Sequence, residues 1–168
     1  LALEETSSYL PATLERRMAD VPLTREECLR NAKLLLQGLA SLHEAGMIHR
    51  DVTPANWLFA DGQLNLADFG MLTEASPQIS RVGTEKYMPP DGRMDARADV
   101  YAAGLVIYEM VTGLPADGFP SVKDPREISR SPGQNALLQL ALTACQPDPS
   151  RRFADAAEML AGLDRLDR

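Results

Sequence analysis

The sequence predicts a mainly α-helical single domain with one small β-hairpin, and three stretches predict it. From Thr24 to His43, apolar residues recur every three or four positions, the period of a helix with one buried face. From Asp99 to Thr112 only Asp99 and Glu109 are charged, and a helix apolar on all sides belongs in the middle of a core. Between Trp57 and Ala67, two short apolar runs flank Asp61-Gly62, a strong two-residue hairpin signal. At 168 residues the chain is expected to form one domain. Its 45% hydrophobic content is enough for a real core, and 24% charged residues is ordinary.

In order along the chain, Leu1 to Glu4 alternates like the end of a strand, and Glu5 to Tyr9 is polar and irregular. Leu14 to Met18 suits one or two helical turns, and Pro22-Leu23 breaks them. Thr24 and Glu27 have the spacing of a capping box, in which each side chain satisfies the other's backbone N–H. Leu29, Ala32, Leu36, Leu39 and His43 then mark the buried face, with Leu35 and Leu42 widening it, and Gly46 is a natural stop. His43 on that face is expected to pack rather than to catalyse. Trp57 to Ala60 and Leu64 to Ala67 are the hairpin strands. Asp68 to Asp91 has no periodicity, and a loop of that length inside a compact domain marks function or disorder. Asp99 sits where it caps the central helix. Gly113 to Gly133 is rich in Pro and Gly, with a short helix near Pro125 to Ser129. Asn135 to Cys145 is a second core helix, Pro147 to Phe153 breaks it, and Ala154 to Leu166 closes the chain. On that last helix Ala157, Leu160, Leu163 and Leu166 form the expected buried stripe.

The net charge of −7 argues against nucleic acid or an anionic membrane as the main partner. Cys28 and Cys145 follow no metal spacing and suit two thiols in a reducing compartment. The longest apolar stretch, Val100 to Tyr108, is far short of a membrane span. The chain opens Leu-Ala-Leu-Glu-Glu, without the basic region of a signal peptide and without Met, as a piece of a longer protein does.

The chemistry concentrates in His49 to Gly70, HRDVTPANWLFADGQLNLADFG. Two polar loops are tied to the two ends of the hairpin. Asp51 and Asn56 lie on the first and Asp68 on the second. A carboxylate can orient a hydroxyl nucleophile and take its proton. An amide oxygen and a second carboxylate can hold Mg²⁺ against phosphates, since that ion wants hard oxygen ligands and keeps positions for water and phosphate. The pattern H-R-D-x4-N followed by D-F-G resembles the catalytic and metal loops of the protein kinase family.

Further motifs extend the resemblance in family order. Val82 to Asp91, VGTEKYMPPD, resembles the end of the kinase activation segment, with Asp91 in place of the longer acidic residue. Asp99 to Gly104, DVYAAG, resembles the helix whose aspartate binds the backbone of the catalytic loop. Asp148 to Arg152 resembles the D-P-x-x-R motif, which makes Arg152 the partner of Asp91. The resemblance covers residues 1–168 as the C-terminal lobe alone, from hinge to last helix. There is no glycine-rich loop and no strand lysine. Lys33, Lys86 and Lys123 all fall elsewhere, so the N-terminal lobe is expected to be absent from this chain.

The resemblance implies a protein serine/threonine kinase of bacterial style that moves the γ-phosphate of ATP to a protein hydroxyl, with Mg²⁺. Asp51 is then the base, and Asn56 and Asp68 hold the metal. Glu4 and Leu58 lie where the adenine is gripped. Arg50 reads a phosphate on the activation segment, at Ser76 or Ser80, while Thr84 faces the catalytic Asp. His49, Phe69, Asp91, Asp99 and Arg152 support the site. One departure touches the chemistry: Thr53 stands where Ser/Thr kinases carry a lysine, and a hydroxyl brings no charge to the transferring phosphate. That leaves an alternative, a pseudokinase serving as a binding or scaffolding module. The implied partners are a protein substrate and the missing N-lobe, and the implied compartment is the cytoplasm.

Overall fold

The structure, a computed structural model, describes residues 12–66, 73–74, 85–122 and 132–167. Five helices dominate the described residues: α1 (Leu14–Asp20), α2 (Arg25–Glu44), α3 (Ala96–Thr112), α4 (Pro132–Ala144) and α5 (Ala156–Leu166). Four short strands, β1 (Met47–Ile48), β2 (Trp57–Ala60), β3 (Gln63–Leu66) and β4 (Thr73–Glu74), make two antiparallel pairs, β1 with β4 and β2 with β3.

The elements form for local reasons. At the start of α2 the capping box is complete: Thr24 Oγ1 accepts from Glu27 N at 3.2 Å, and Glu27 Oε2 accepts from Thr24 N at 2.8 Å. In the hairpin, Asp61 (φ 52°) and Gly62 (φ 76°) both adopt the left-handed backbone that a tight two-residue turn needs. Trp57 pairs with Leu66 and Ala60 with Gln63, so β3 begins one residue before the expected Leu64. Residues 12–13 run against the outer edge of β2, where Phe59 N donates to the Ala12 carbonyl at 2.8 Å.

Helix α3 is the centre. Val100, Ala103, Val106 and Ile107 are fully buried, and α2, α4 and α5 pack around it. Gly104 is where α4 comes closest. A Cβ there would meet Cys145 Sγ at 2.7 Å and Ala144 Cβ at 2.8 Å, so no side chain fits. Both cysteines are free, as expected. Each is buried and donates to a carbonyl of α3, Cys28 to Met110 and Cys145 to Tyr101. Burial pushes the thiols up, to about 11 and about 12.

Three expectations need correction. Helix α3 begins at Ala96, and its N-cap is Asp95, whose carboxylate accepts from Arg97 N at 3.0 Å; Asp99 lies inside the first turn. Helix α4 begins at Pro132, three residues before Asn135, because proline's fixed φ suits a first helical turn. Helix α5 buries Ala156, Met159, Gly162 and Leu163, while Ala157 and Leu166 face solvent. The stripe is turned by one position because Gly162 lets Phe153 and Leu140 approach. The expected helix near Pro125 lies outside the described residues.

Candidate active site

Helix α2 ends in a turn at Gly46 (φ 74°), and β1 delivers the chain to the loop 49–53. A 3-10 turn, Pro54–Asn56, then leads into β2. Asp95 takes over the capping of α3, so the carboxylate of Asp99 is left to face this loop. It is 1% exposed and accepts from His49 N at 2.7 Å and from Arg50 N at 2.9 Å. Arg50 has φ 73°, an unfavourable conformation for a residue with a Cβ. Such strain persists where the surroundings over-determine it, and the Asp99 contact does so here.

Beyond Arg50, the loop folds onto itself. His49 is fully buried, and its Nδ1 accepts from Asp51 N at 3.1 Å. Asn56 Nδ2 donates both to the Asp51 carbonyl at 2.7 Å and to Asp51 Oδ2 at 2.8 Å. These contacts fix the backbone of Asp51, one of its carboxylate oxygens and the orientation of the Asn56 amide. With its nitrogen committed to Asp51, Asn56 turns its oxygen the other way. A hard amide oxygen beside a carboxylate fits a divalent cation that keeps phosphate and water ligands.

A third donor meets Asp99. His43 Nε2 lies 2.9 Å from Asp99 Oδ2, and both side chains are almost fully buried. His43 Nδ1 accepts from Ala156 N, the first residue of α5, at 3.0 Å. The ring therefore carries its proton on Nε2. His43 is a buried structural side chain, as expected, and it also bridges α5 and Asp99. A signal was present, since the chain has two histidines and both fall within the eight residues before Asp51.

The segment 85–91 is held differently. Tyr87 donates its hydroxyl to Glu109 of α3. Burial pushes the Glu109 carboxyl up, while the Tyr87 bond and the nearby Lys86 charge pull it down. Burial and the Glu109 bond push the Tyr87 phenol up, so it stays a donor. The signal for this pair was Glu109 itself, the one charged residue in the apolar run from Val100 to Thr112. Arg152 NH2 lies 2.6 Å from Asp91 Oδ1, with the arginine side chain wholly buried. Arg152 also donates to the carbonyls of Gln146 and Pro147 and lies over the Tyr101 ring at 5.0 Å. A narrow cleft between loop and segment is lined by Asp51, Val52, Met88, Pro89 and Met94.

Of the other expected site residues, Thr53 is buried and uncharged. Leu58 is half-buried on β2, bridged to Thr13. Glu4, Asp68, Phe69, Ser76, Ser80 and Thr84 lie outside the described residues.

The family model of the protein kinase domain matches residues 6–161. The chain belongs to the protein kinase family. Serine/threonine-protein kinase PknL of Mycobacterium tuberculosis is 35% identical over 153 residues, covering 79% of this chain and 38% of that protein. A probable serine/threonine-protein kinase of Corynebacterium efficiens is 39% identical over 157 residues, covering 77% of this chain and 24% of that protein. Serine/threonine-protein kinase PknB of Mycobacterium leprae is 32% identical over 169 residues, covering 88% and 27%. The chain thus spans less than two fifths of the length of these relatives. Within the kinase fold, its described residues supply the helical lobe with the loop that carries Asp51 and Asn56.

Proposed function

We propose that this chain is the C-terminal lobe of a protein serine/threonine kinase, which transfers the γ-phosphate of ATP to a protein Ser or Thr hydroxyl within the complete kinase domain. The observation that carries the reading is the fixed Asp51: one carboxylate oxygen is held by Asn56, and the loop backbone is held by Asp99. Asp51 then orients the substrate hydroxyl and accepts its proton, which depends on position before pKa. Asn56 and Asp68 would hold Mg²⁺, which, when bound, neutralises charge on the phosphates. Leu58, with Glu4, would form the floor beneath the adenine. Arg50 would read a phosphate on Ser76 or Ser80, since a guanidinium suits its bidentate oxygens. Thr84 would shape the peptide site. The nucleotide's cover, with its lysine and glycine-rich loop, would come from an N-terminal lobe. The naming of bacterial relatives as serine/threonine kinases supports the hydroxyl as acceptor. The compartment we assign is the cytoplasm. Among the described residues no helix is long and apolar enough to cross a membrane.

The test is radiolabel transfer by the full-length protein with Mg²⁺-ATP, against Asp51→Asn. The variant should lose roughly 10²–10⁴-fold, the usual contribution of a positioned base. Thr53 leaves the transferring phosphate without a loop cation, so the parent rate should sit low in the kinase range. Full-length protein no faster than Asp51→Asn would point instead to the pseudokinase, a binding module.

A further inference from the structure

Helix α1 is seven residues long, too short to persist on propensity alone. Of its residues only Leu14 is fully buried, and the link to α2 begins with exposed Val21 and Pro22. Backbone holds its N-terminal end: Phe59 N donates to the Ala12 carbonyl, and Thr13 bridges to Leu58. Along its length α1 packs against β2 and against the 3-10 turn Pro54–Asn56. The hydrogen bonds at its C-terminal end come from one side chain. Arg17 NH1 donates to the carbonyl of Val21, the C-cap, at 2.7 Å. Arg17 NH2 meets both oxygens of Glu27 on α2, Oε1 at 2.8 Å and Oε2 at 2.9 Å. Glu27 Oε2 is also the atom that accepts from Thr24 N in the capping box. The Thr24 N–H, with the Arg17 guanidinium, holds the Glu27 carboxyl below its usual range, so the pair meets as two charges. Among the described residues these are the only side-chain hydrogen bonds between α1 and α2. One guanidinium thus closes the end of α1 and fastens it to the cap of α2.

We propose that Arg17 is a positioning residue for nucleotide binding: by fastening α1 to the Thr24–Glu27 cap, it seats the N-terminal end of α1 against β2, the strand that carries Leu58. The guanidinium is spent on Val21 and Glu27, so it acts through the helix and not by touching the nucleotide. The proposal rests on the kinase reading of the site, in which Leu58 lies beneath the adenine. It has a kinetic consequence. When α1 loosens, Asp51 keeps its own anchors on Asn56 and, through the loop backbone, on Asp99. Binding of Mg²⁺-ATP therefore suffers and the chemical step does not. A raised KM at constant kcat is the mark of binding lost equally from ground state and transition state.

The experiment compares Arg17→Leu, Glu27→Gln and the double variant with the parent in the full-length protein, by steady-state kinetics, thermal melting and amide exchange of the segment 57–60. Glu27→Gln keeps an acceptor for the capping box and removes the charge that Arg17 meets. In Arg17→Leu, KM for Mg²⁺-ATP should rise roughly 3–10-fold, with kcat and KM for peptide within about twofold of the parent. Exchange in segment 57–60 should rise at least about threefold as the Phe59 bond to Ala12 opens more often. Glu27→Gln should move KM the same way by less. The double variant should be no worse than Arg17→Leu, because both substitutions break one contact. A parental nucleotide KM in Arg17→Leu would overturn the proposal. So would a kcat that falls as far as KM rises, or effects that simply add in the double variant. If Arg17→Leu does not fold, Glu27→Gln decides by the same kinetic split. If the parent itself transfers no phosphate, the kinase reading fails, and exchange still decides whether Arg17 holds α1 on β2.

Discussion

Two segments meet at the site, 49–56 and 85–91, and α3 is the common wall behind both. The first is held by its backbone: the carboxylate of Asp99 takes the N–H groups of His49 and Arg50. The second is held by its own side chains, Tyr87 on Glu109 and Asp91 on Arg152. The difference has a chemical reason. A loop gripped by its backbone keeps its side chains for substrate and metal. A segment gripped by its side chains has few left to offer, and each bond can be broken by one substitution.

The comparison breaks most severely at Asp99. In Asp99→Asn an amide N–H replaces one acceptor oxygen, so at most one of the two loop donors keeps its partner. Activity of the full-length protein should fall at least about 100-fold, and stability should fall by about 3–5 kcal/mol. Kinetics within tenfold of the parent would mean that the loop holds its shape without this anchor.

Arg152→Ala attacks the second segment. It leaves Asp91 with a buried, uncompensated charge, at a cost of about 3–5 kcal/mol. Melting should drop by roughly 6–20 °C for a chain of this size. A shift within about a degree would refute the buried pair.

Tyr87→Phe is milder, about 1–3 kcal/mol for a half-buried carboxylate that loses its donor. It also has a pH signature. Glu109 is raised by burial above its usual 4.5, so the folded state binds a proton more tightly than the unfolded chain. Stability should therefore fall as pH rises from about 4.5 through the raised value. Tyr87→Phe, which removes a contact that lowers the carboxyl, should extend that decline to higher pH, and Glu109→Gln should abolish it. Melting curves of parent and Glu109→Gln that run parallel across this range would exclude Glu109 as the cause.

The smallest effect sharpens the comparison. Asp91 Oδ2 and Arg152 NH1 are buried with no hydrogen-bond partner among the described residues. Asp91→Glu adds the methylene needed for a two-pronged contact and should gain about 0.5–1.5 kcal/mol, seen as a slightly higher melting temperature. A lower one would mean that the corner has no room for the longer arm.

What the sequence by itself determined was whatever depends on neighbours in the chain. The Thr24–Glu27 box, the Asp61-Gly62 hairpin and the all-round apolar α3 form as written, because a cap, a turn and a helical period are settled within a few residues. The string from His49 to Asn56 was legible as a candidate site for the same reason, since Asp51 and Asn56 fall on one short loop. Only the tertiary structure decided the rest. Asp95, not Asp99, caps α3, because Asp99 has a loop to hold from the far side of the core. The buried face of α5 is turned by one position, because Gly162 admits Phe153 and Leu140. His43 joins α5 to Asp99, 113 and 56 residues away, and no period or spacing encodes a partner at that range. Such contacts are chosen by which faces pack, and packing is settled by the whole core at once.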